Sequence, residues 1–272
     1  MTILKVATYN LQSTRPNQSD KQARLLRREG VDICALQEIN YNNYRFSRDL
    51  FNSLNGFEHG DNKFSYCYFG KAIEFAEGSM GIAAVSNYKI NNTRTIKLYS
   101  EDAMPEAIQK MHYYYNLYNY NKEETIKEFN DFNEKYKYIE PRIATNILCE
   151  IGGKTVSFYS THLSFETKEL RHAQLVQLRD ILLNDKSDYK ILAGDLNVDQ
   201  STKELEFLTD KFTIVNGNNG YWIDTFVGID PNMNVNSVDN IILSKNIKIN
   251  NTYKIDSDLS DHLPLIAEIE LL

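Results

Sequence analysis

Short apolar blocks alternate along the chain with polar, turn-forming stretches. Residues 3–9, 31–36, 81–86, 143–151, 156–161, 191–193, 238–243 and 265–271 each form such a block. Their length and their content of Val and Ile predict buried strands rather than helices. Helical spacing appears between them. Residues 22–29 read as an exposed helix that Gly30 ends. Residues 46–54 also carry apolar positions at helical spacing. Residues 169–183 place Leu170, Ala173, Val176, Leu178, Ile181 and Leu182 along an amphipathic helix that precedes the strand at 191–193. Strands and helices mixed over the whole length predict an α/β fold built in layers. No internal repeat and no Pro- or Ser-rich linker divides the chain, so residues 1–272 are expected to form a single domain.

The segment at about 99–140 breaks this pattern with helical periodicity alone. Met104, Ile108, Met111, Tyr115 and Tyr118 lie on one stripe. Asn121 and Glu124 form a capping box for a second helix, with Ile126, Phe129, Phe132 and Tyr136 on its apolar side. A helical insertion is expected there. It is either a hairpin packed on the domain or a Tyr-rich lid over a substrate, since tyrosine offers a stacking face and a hydroxyl together.

Composition narrows the class. The 272 residues carry a formal charge of −7, with 42% hydrophobic and 25% charged residues. That is ordinary globular composition, and a chain this long buries a core without metal or disulfide staples. Cys34, Cys67 and Cys149 form no CxxC pair, and two of them lie in apolar runs, which argues against a zinc cluster and for a reducing compartment. No window approaches the ~20 apolar residues of a membrane span. The first residues lack a cationic stretch followed by an apolar one, so a cytoplasmic protein is expected. The acidic balance disfavours a broad basic surface for long nucleic acid. It leaves a nuclease open, because a bound divalent cation reverses the field at one phosphate.

Candidate chemistry sits where the apolar blocks end. Asn10, Glu38, His162, Asp195 and Asn197 follow such blocks, and Asp261 and His262 precede the last one. Strand ends are where α/β folds commonly build sites. The oxygen donors among these residues suit Mg²⁺ or Mn²⁺ rather than zinc. A neighbouring carboxylate is expected to hold His162 or His262 protonated. Metal, carboxylate base and cationic imidazole together match the needs of phosphate-ester hydrolysis: water to deprotonate, phosphoryl charge to neutralise and a leaving oxygen to stabilise.

Six blocks then stand in one order: Thr8-Tyr9-Asn10, Leu36-Gln37-Glu38, Ser160-Thr161-His162-Leu163, Gly194-Asp195-Leu196-Asn197, Val238-Asp239-Asn240-Ile241 and Ser260-Asp261-His262. Each alone is only suggestive, but six in sequence are specific. The chain resembles the endonuclease/exonuclease/phosphatase superfamily, with the DNase I-like fold, over about residues 3 to 271. The resemblance implies a four-layered α/β/β/α sandwich of two mixed β-sheets flanked by helices. It implies a metal held by Asn10 and Glu38, with Asp261 beside the metal or the phosphate. It gives Asp195 and Asn197 to the attacking water, His162 to the scissile phosphate, and His262 to acid–base or oxyanion work with Asp239 fixing its charge. Arg142 falls where related enzymes often place a phosphate-binding arginine. Glu77 could orient His162, although a solvated turn carboxylate accounts for it as well.

The expected activity is a Mg²⁺- or Mn²⁺-dependent phosphoesterase. A phosphodiesterase on nucleic acid or nucleotides is favoured, since this constellation cleaves diesters in much of the family. A phosphomonoesterase on a small sugar-, nucleotide- or lipid-phosphate is the alternative, and a non-catalytic binding module is the third reading. The block at residues 161–163 sets the chain apart from abasic-site endonucleases. The sequence around Asp261 lacks the C-terminal signature of inositol polyphosphate phosphatases.

Overall fold

The computed structural model describes residues 2–16, 18–100, 127, 131, 139–198, 203–229 and 236–272. In chain order the strands are β1 (Thr2–Asn10), β2 (Ile33–Tyr41), β3 (Tyr66–Phe75), β4 (Gly78–Ser86), β5 (Ile90–Lys97), β6 (Ile143–Ile151), β7 (Lys154–His162), β8 (Tyr189–Asp195), β9 (Phe212–Ile214), β10 (Asp239–Ser244), β11 (Ile247–Lys254) and β12 (Leu265–Leu271). The helices are α1 (Ser19–Arg28), the single-turn α2 (Asn55–Glu58) and α3 (Lys168–Asn184).

Two six-stranded sheets form, in the orders β11-β12-β1-β2-β4-β3 and β5-β6-β7-β8-β10-β9. Both are mixed: β1 runs parallel to β2 and β7 to β8, while the other pairings are antiparallel. Each parallel pair is joined through a helix, as a crossover between parallel strands requires. The first and last strands of the chain, β1 and β12, lie side by side.

The apolar blocks are continuous because both faces of the inner strands are covered. In β1, Leu4 and Val6 share one core with Ile147, Phe158, Ile191 and Ile241 of the opposite sheet. The intervening Ala7 and Tyr9 face Ala23 and Leu26 of α1. The second sheet repeats the arrangement, with Phe158 and Ile191 inward and Tyr159 and Leu192 outward against Leu175, Leu178 and Leu182 of α3. Side chains alternate between faces along a strand, so one run serves two interfaces. The result is the expected α/β/β/α layering. At about 25 cal/mol per Å², each fully buried large aliphatic side chain here contributes about 1.5–3 kcal/mol.

The helices differ in detail from their sequence expectation. In α3 the Thr167 hydroxyl accepts from the Leu170 amide at 3.1 Å and starts the helix. Val176, expected on the apolar side, is exposed, and Gln174 takes a buried position instead. Residues 46–54 are not helical. Asn43 and Phe51 exchange backbone hydrogen bonds of 3.1 and 2.7 Å. The Asn52 side chain accepts from the Leu54 amide at 2.8 Å, and the Ser53 hydroxyl accepts from the Asn40 amide at 3.1 Å. Short polar side chains offer the backbone local partners that compete with a helix, and here they prevail.

The expected helical insertion falls almost wholly outside the described residues. Between 101 and 138 only Lys127 and Asp131 are described; both are helical and exposed, on the side opposite the expected apolar stripe. The three cysteines are free, and Cys34 and Cys149 are buried.

Candidate active site

The parallel strand pairs aim their C-terminal ends in one direction, and β10 and β12 start at that same end. Asp239 lies opposite Asp195 in the β8–β10 ladder, and Leu265 lies opposite Thr8 in the β1–β12 ladder. Residues far apart in sequence therefore meet at one edge of the sandwich.

Local backbone devices set their aim. In β2 the pairing with β4 slips between Leu36 and Ile39, and Glu38 takes φ 57°. This bulge turns Glu38 out of the strand alternation, as bulges beside functional sites do. Its carboxylate accepts from the Ser13 amide at 2.7 Å and from Asn10 Nδ2 at 3.1 Å. At the end of β8, Gly194 is required because a Cβ there would strike the Thr161 carbonyl of β7. Asn197, at φ 51°, folds its amide back to donate to Asp195 Oδ1 at 3.0 Å, while its side chain donates to the Leu163 carbonyl at 2.9 Å.

One oxygen is the focus of the constellation. Asp195 Oδ2 lies 3.1 Å from Asn10 Nδ2, 3.5 Å from His162 Nε2 and 3.7 Å from His262 Nε2. His262 Nδ1 sits 2.8 Å from Asp239 Oδ2, and Asp239 is fully buried. Arg142 Nη1 lies 3.2 Å from both Glu140 Oε1 and His162 Nδ1. Ser260 ties the last loop to the first strand by donating to the Asn10 carbonyl at 2.7 Å. Asp261 is anchored by its amide, which donates to Gln12 Oε1 at 3.1 Å.

The two imidazoles are held in opposite states. Burial disfavours charge on His262, but the Asp239 carboxylate outweighs it, with help from Asp195 and Asp261, and raises the ring to about 10. His162 departs from the sequence expectation of a protonated ring. Burial, then the Arg142 guanidinium, then His262 push it well below the usual histidine value, so it is neutral. A guanidinium has no acceptor, so His162 Nδ1 accepts and Nε2 carries the proton toward Asp195. Arg142 orients His162 through this contact, and Glu77 lies in an exposed turn.

The carboxylates divide likewise. Burial and then repulsion from Asp239 raise Asp195 to about 7, against the pull of His262. Glu38 is lowered: burial pushes it up, but the Ser13 amide and Asn10 side chain more than offset this. Asp261 is raised by burial and by Glu38, against the pull of His262. Glu140, which the sequence reading passed over, is also raised, by burial first and by Glu38 and Glu166 among its neighbours. Its position two residues before Arg142 was the only available signal.

Asp195, Asp239 and His262 place one potential ligand atom each within 4.8 Å of one another. In this structure the three pair with one another, His262 Nδ1 lying 2.8 Å from Asp239 Oδ2 and Nε2 3.7 Å from Asp195 Oδ2. The Glu38–Asp261 side fits a hard cation better: its donors are oxygens, and the two carboxylates repel each other. With its amide in this orientation Asn10 donates to Glu38 and Asp195, and its Oδ1 accepts from the Gln12 amide at 3.0 Å, so it braces these carboxylates. A small cleft lined by Glu38, Met80, Glu140, Arg142 and His162 opens beside them.

The sequence profile of the endonuclease/exonuclease/phosphatase family matches residues 7–262, which spans every residue of this constellation. The chain belongs to the endonuclease/exonuclease/phosphatase family. Solved structures share its fold. A family member from Bacteroides vulgatus superposes with a TM-score of 0.67 at 17% identity, covering 100% of both chains. D. rerio TDP2 complexed with a single-strand DNA product gives 0.66 at 12% identity, covering 99% of this chain and 100% of that one. The Bacteroides thetaiotaomicron mannosyl-6-phosphatase Bt3783 gives 0.61 at 18% identity, covering 98% and 99%. No curated protein sequence matches the chain. Membership makes the protein a phosphoesterase-family hydrolase. Among the described residues no helix is long and apolar enough to cross a membrane.

Proposed function

We propose that this chain is a divalent-metal-dependent phosphodiesterase acting on nucleic acid or nucleotides, with residues 1–272 forming one domain. The pairing of the first and last strands supports the single domain. The observation that carries the activity is the convergence of Asn10, His162 and His262 on Asp195 Oδ2, with His262 charged by Asp239.

Asp195 is the general base. Held at about 7, it is half ionised at neutral pH, the balance of available base and basicity that suits a general base. Asn197, Asn10 and the Nε2–H of His162 fix its orientation. The His262 imidazolium places a positive donor where negative charge develops on the phosphoryl oxygens, and it holds a proton for the departing alkoxide. Asp239 keeps that proton on the ring. Removing one such donor typically costs ~10²–10³ in rate. Arg142, buried and shared between Glu140 and His162, fixes the His162 tautomer and adds positive charge at the phosphate side. A divalent ion, Mg²⁺ or Mn²⁺, held by Glu38 and Asp261 with Asn10 bracing them, would supply charge neutralisation and lower the pKa of bound water.

A phosphomonoesterase is the second reading, favoured by the charge of −7, which disfavours a long polyanion, and by the structural likeness to the mannosyl-6-phosphatase. Purified protein with Mg²⁺ is incubated with plasmid, short RNA, bis(p-nitrophenyl) phosphate and p-nitrophenyl phosphate. Diester cleavage is expected, with nicking of plasmid or cutting of RNA. Turnover of the monoester alone would replace the diesterase reading with the second one. No turnover of any substrate would point to a binding module.

A further inference from the structure

The segment Thr225–Gly228 carries no motif and no resemblance-derived role, yet it is stitched between the two halves of the Asp239–His262 pair. On one side, the Thr225 and Phe226 amides both donate to the Asn236 carbonyl, at 2.7 and 2.8 Å. The Asp239 amide donates to the Thr225 hydroxyl at 3.4 Å. On the other side, the Val227 amide donates to the Asp261 carbonyl at 2.8 Å and the Leu263 amide to the Thr225 carbonyl at 2.7 Å. Phe226 and His262 thus form an antiparallel bridge of their own. Their rings lie 5.1 Å apart at 64°, an edge-to-face contact.

Gly228 completes the arrangement. A Cβ on it would meet the Phe226 ring at 2.5 and 2.8 Å and the Asp261 Cβ at 3.2 Å. The backbone at Gly228 therefore closes directly on the far edge of the ring and blocks its movement on that side. The groups facing His262 from its surroundings are Asp239 of β10, Asp195 of β8, Asp261 of its own loop and His162 of β7. Phe226 supplies the apolar wall that these polar groups lack.

We propose that Phe226, locked by Gly228, is a positioning residue that holds the His262 ring in line with Asp239 and Asp195. It acts through His262 and not on the substrate, and it rests on the catalytic role given to His262 above. Ring positions matter at the level of an ångström, where a small misplacement costs ~10²-fold.

The test uses the full chain with Mg²⁺ and bis(p-nitrophenyl) phosphate. Phe226→Leu is expected to lower kcat about tenfold with KM changed less than twofold, and Phe226→Tyr to restore most of it. Gly228→Ala should lower kcat similarly by displacing the ring. In Phe226→Ala, adding Gly228→Ala should cost much less than it does in the wild type, because the ring is gone and only the 3.2 Å contact with Asp261 Cβ remains. A raised KM with unchanged kcat, or wild-type kcat in Gly228→Ala, would overturn the proposal. The His262 ring-proton resonances are read without substrate, so they test the contact even if the function is misassigned. They should move in Gly228→Ala and Phe226→Leu, and constancy in both would also overturn it.

Discussion

Replacing Asp239 by Asn changes one oxygen for an amide and leaves shape, volume and a hydrogen-bond acceptor in place. What it removes is the negative charge 2.8 Å from His262 Nδ1. That charge is the main force lifting His262 from 6.5 to about 10 against its burial. Without it, burial returns the ring to its ordinary value or below. At pH 8.5 a ring of pKa 6.5 is about 1% protonated, so the loss of imidazolium alone predicts a drop of about 100-fold in kcat. A second effect has the same sign: Asp239 also pushes Asp195 upward, so its removal makes Asp195 a weaker base. The imidazolium exists below its pKa, so the deficit must shrink as pH falls. At pH 5.5 a ring of pKa 6.5 is about nine-tenths protonated, and only the weaker base remains as a handicap. The assay is kcat for bis(p-nitrophenyl) phosphate at saturating Mg²⁺ from pH 5.5 to 9, for wild type and Asp239→Asn. The variant's falling limb is expected near or below 6.5 and the wild type's beyond the range tested. A wild-type-to-variant ratio that stays constant across the range would refute the claim that Asp239 acts through charge.

Three further outcomes follow from the same geometry. Asp195→Asn should abolish turnover yet raise the melting temperature by a few degrees at pH 8 in chelator. The raised native pKa means the buried carboxylate costs stability as pH rises from about 4 through 7; an unchanged or lower melting temperature would contradict that cost. Glu38→Gln should raise the Mg²⁺ concentration for half-maximal rate about tenfold or more, with an identical titration curve counting against Glu38 as a ligand. Arg142→Met should let His162 take either tautomer and lower kcat by about tenfold to 100-fold, and NMR of the His162 ring nitrogens should show loss of the single Nε2–H form.

The sequence was informative where burial is two-sided. The eight apolar blocks are the eight inner strands, whose continuous runs serve a helix layer on one face and the other sheet on the opposite face. The four strands that the pattern missed, β3, β5, β9 and β11, are the four sheet edges. β5 reads Ile-Asn-Asn-Thr-Arg-Thr-Ile-Lys and is mostly exposed, so its membership rests on backbone pairing that periodicity does not report. Polar edge strands also resist pairing with another chain. The false helix at 46–54 has the converse cause, local side-chain bonds from Asn52 and Ser53 that override apolar spacing.

The site was legible to the extent that it lies at strand ends. Asn10, Glu38, His162, Asp195, Asp239 and His262 all come together, and Asn197, Asp261 and Arg142 border them. The His162 charge state was not legible, because it depends on Arg142 reaching across from the start of β6. Phe226 left no signal, since an isolated aromatic in a loop resembles any other until the backbone places it against His262.

The most direct test of a single converged hydrolytic centre is the rate of p-nitrophenolate release from bis(p-nitrophenyl) phosphate by wild type and His262→Ala at saturating Mg²⁺. The account predicts turnover by the wild type and a loss of about 10³-fold or more in a variant that still folds, its melting temperature lowered because Asp239 is left buried without its partner. Equal rates in the two proteins would contradict it.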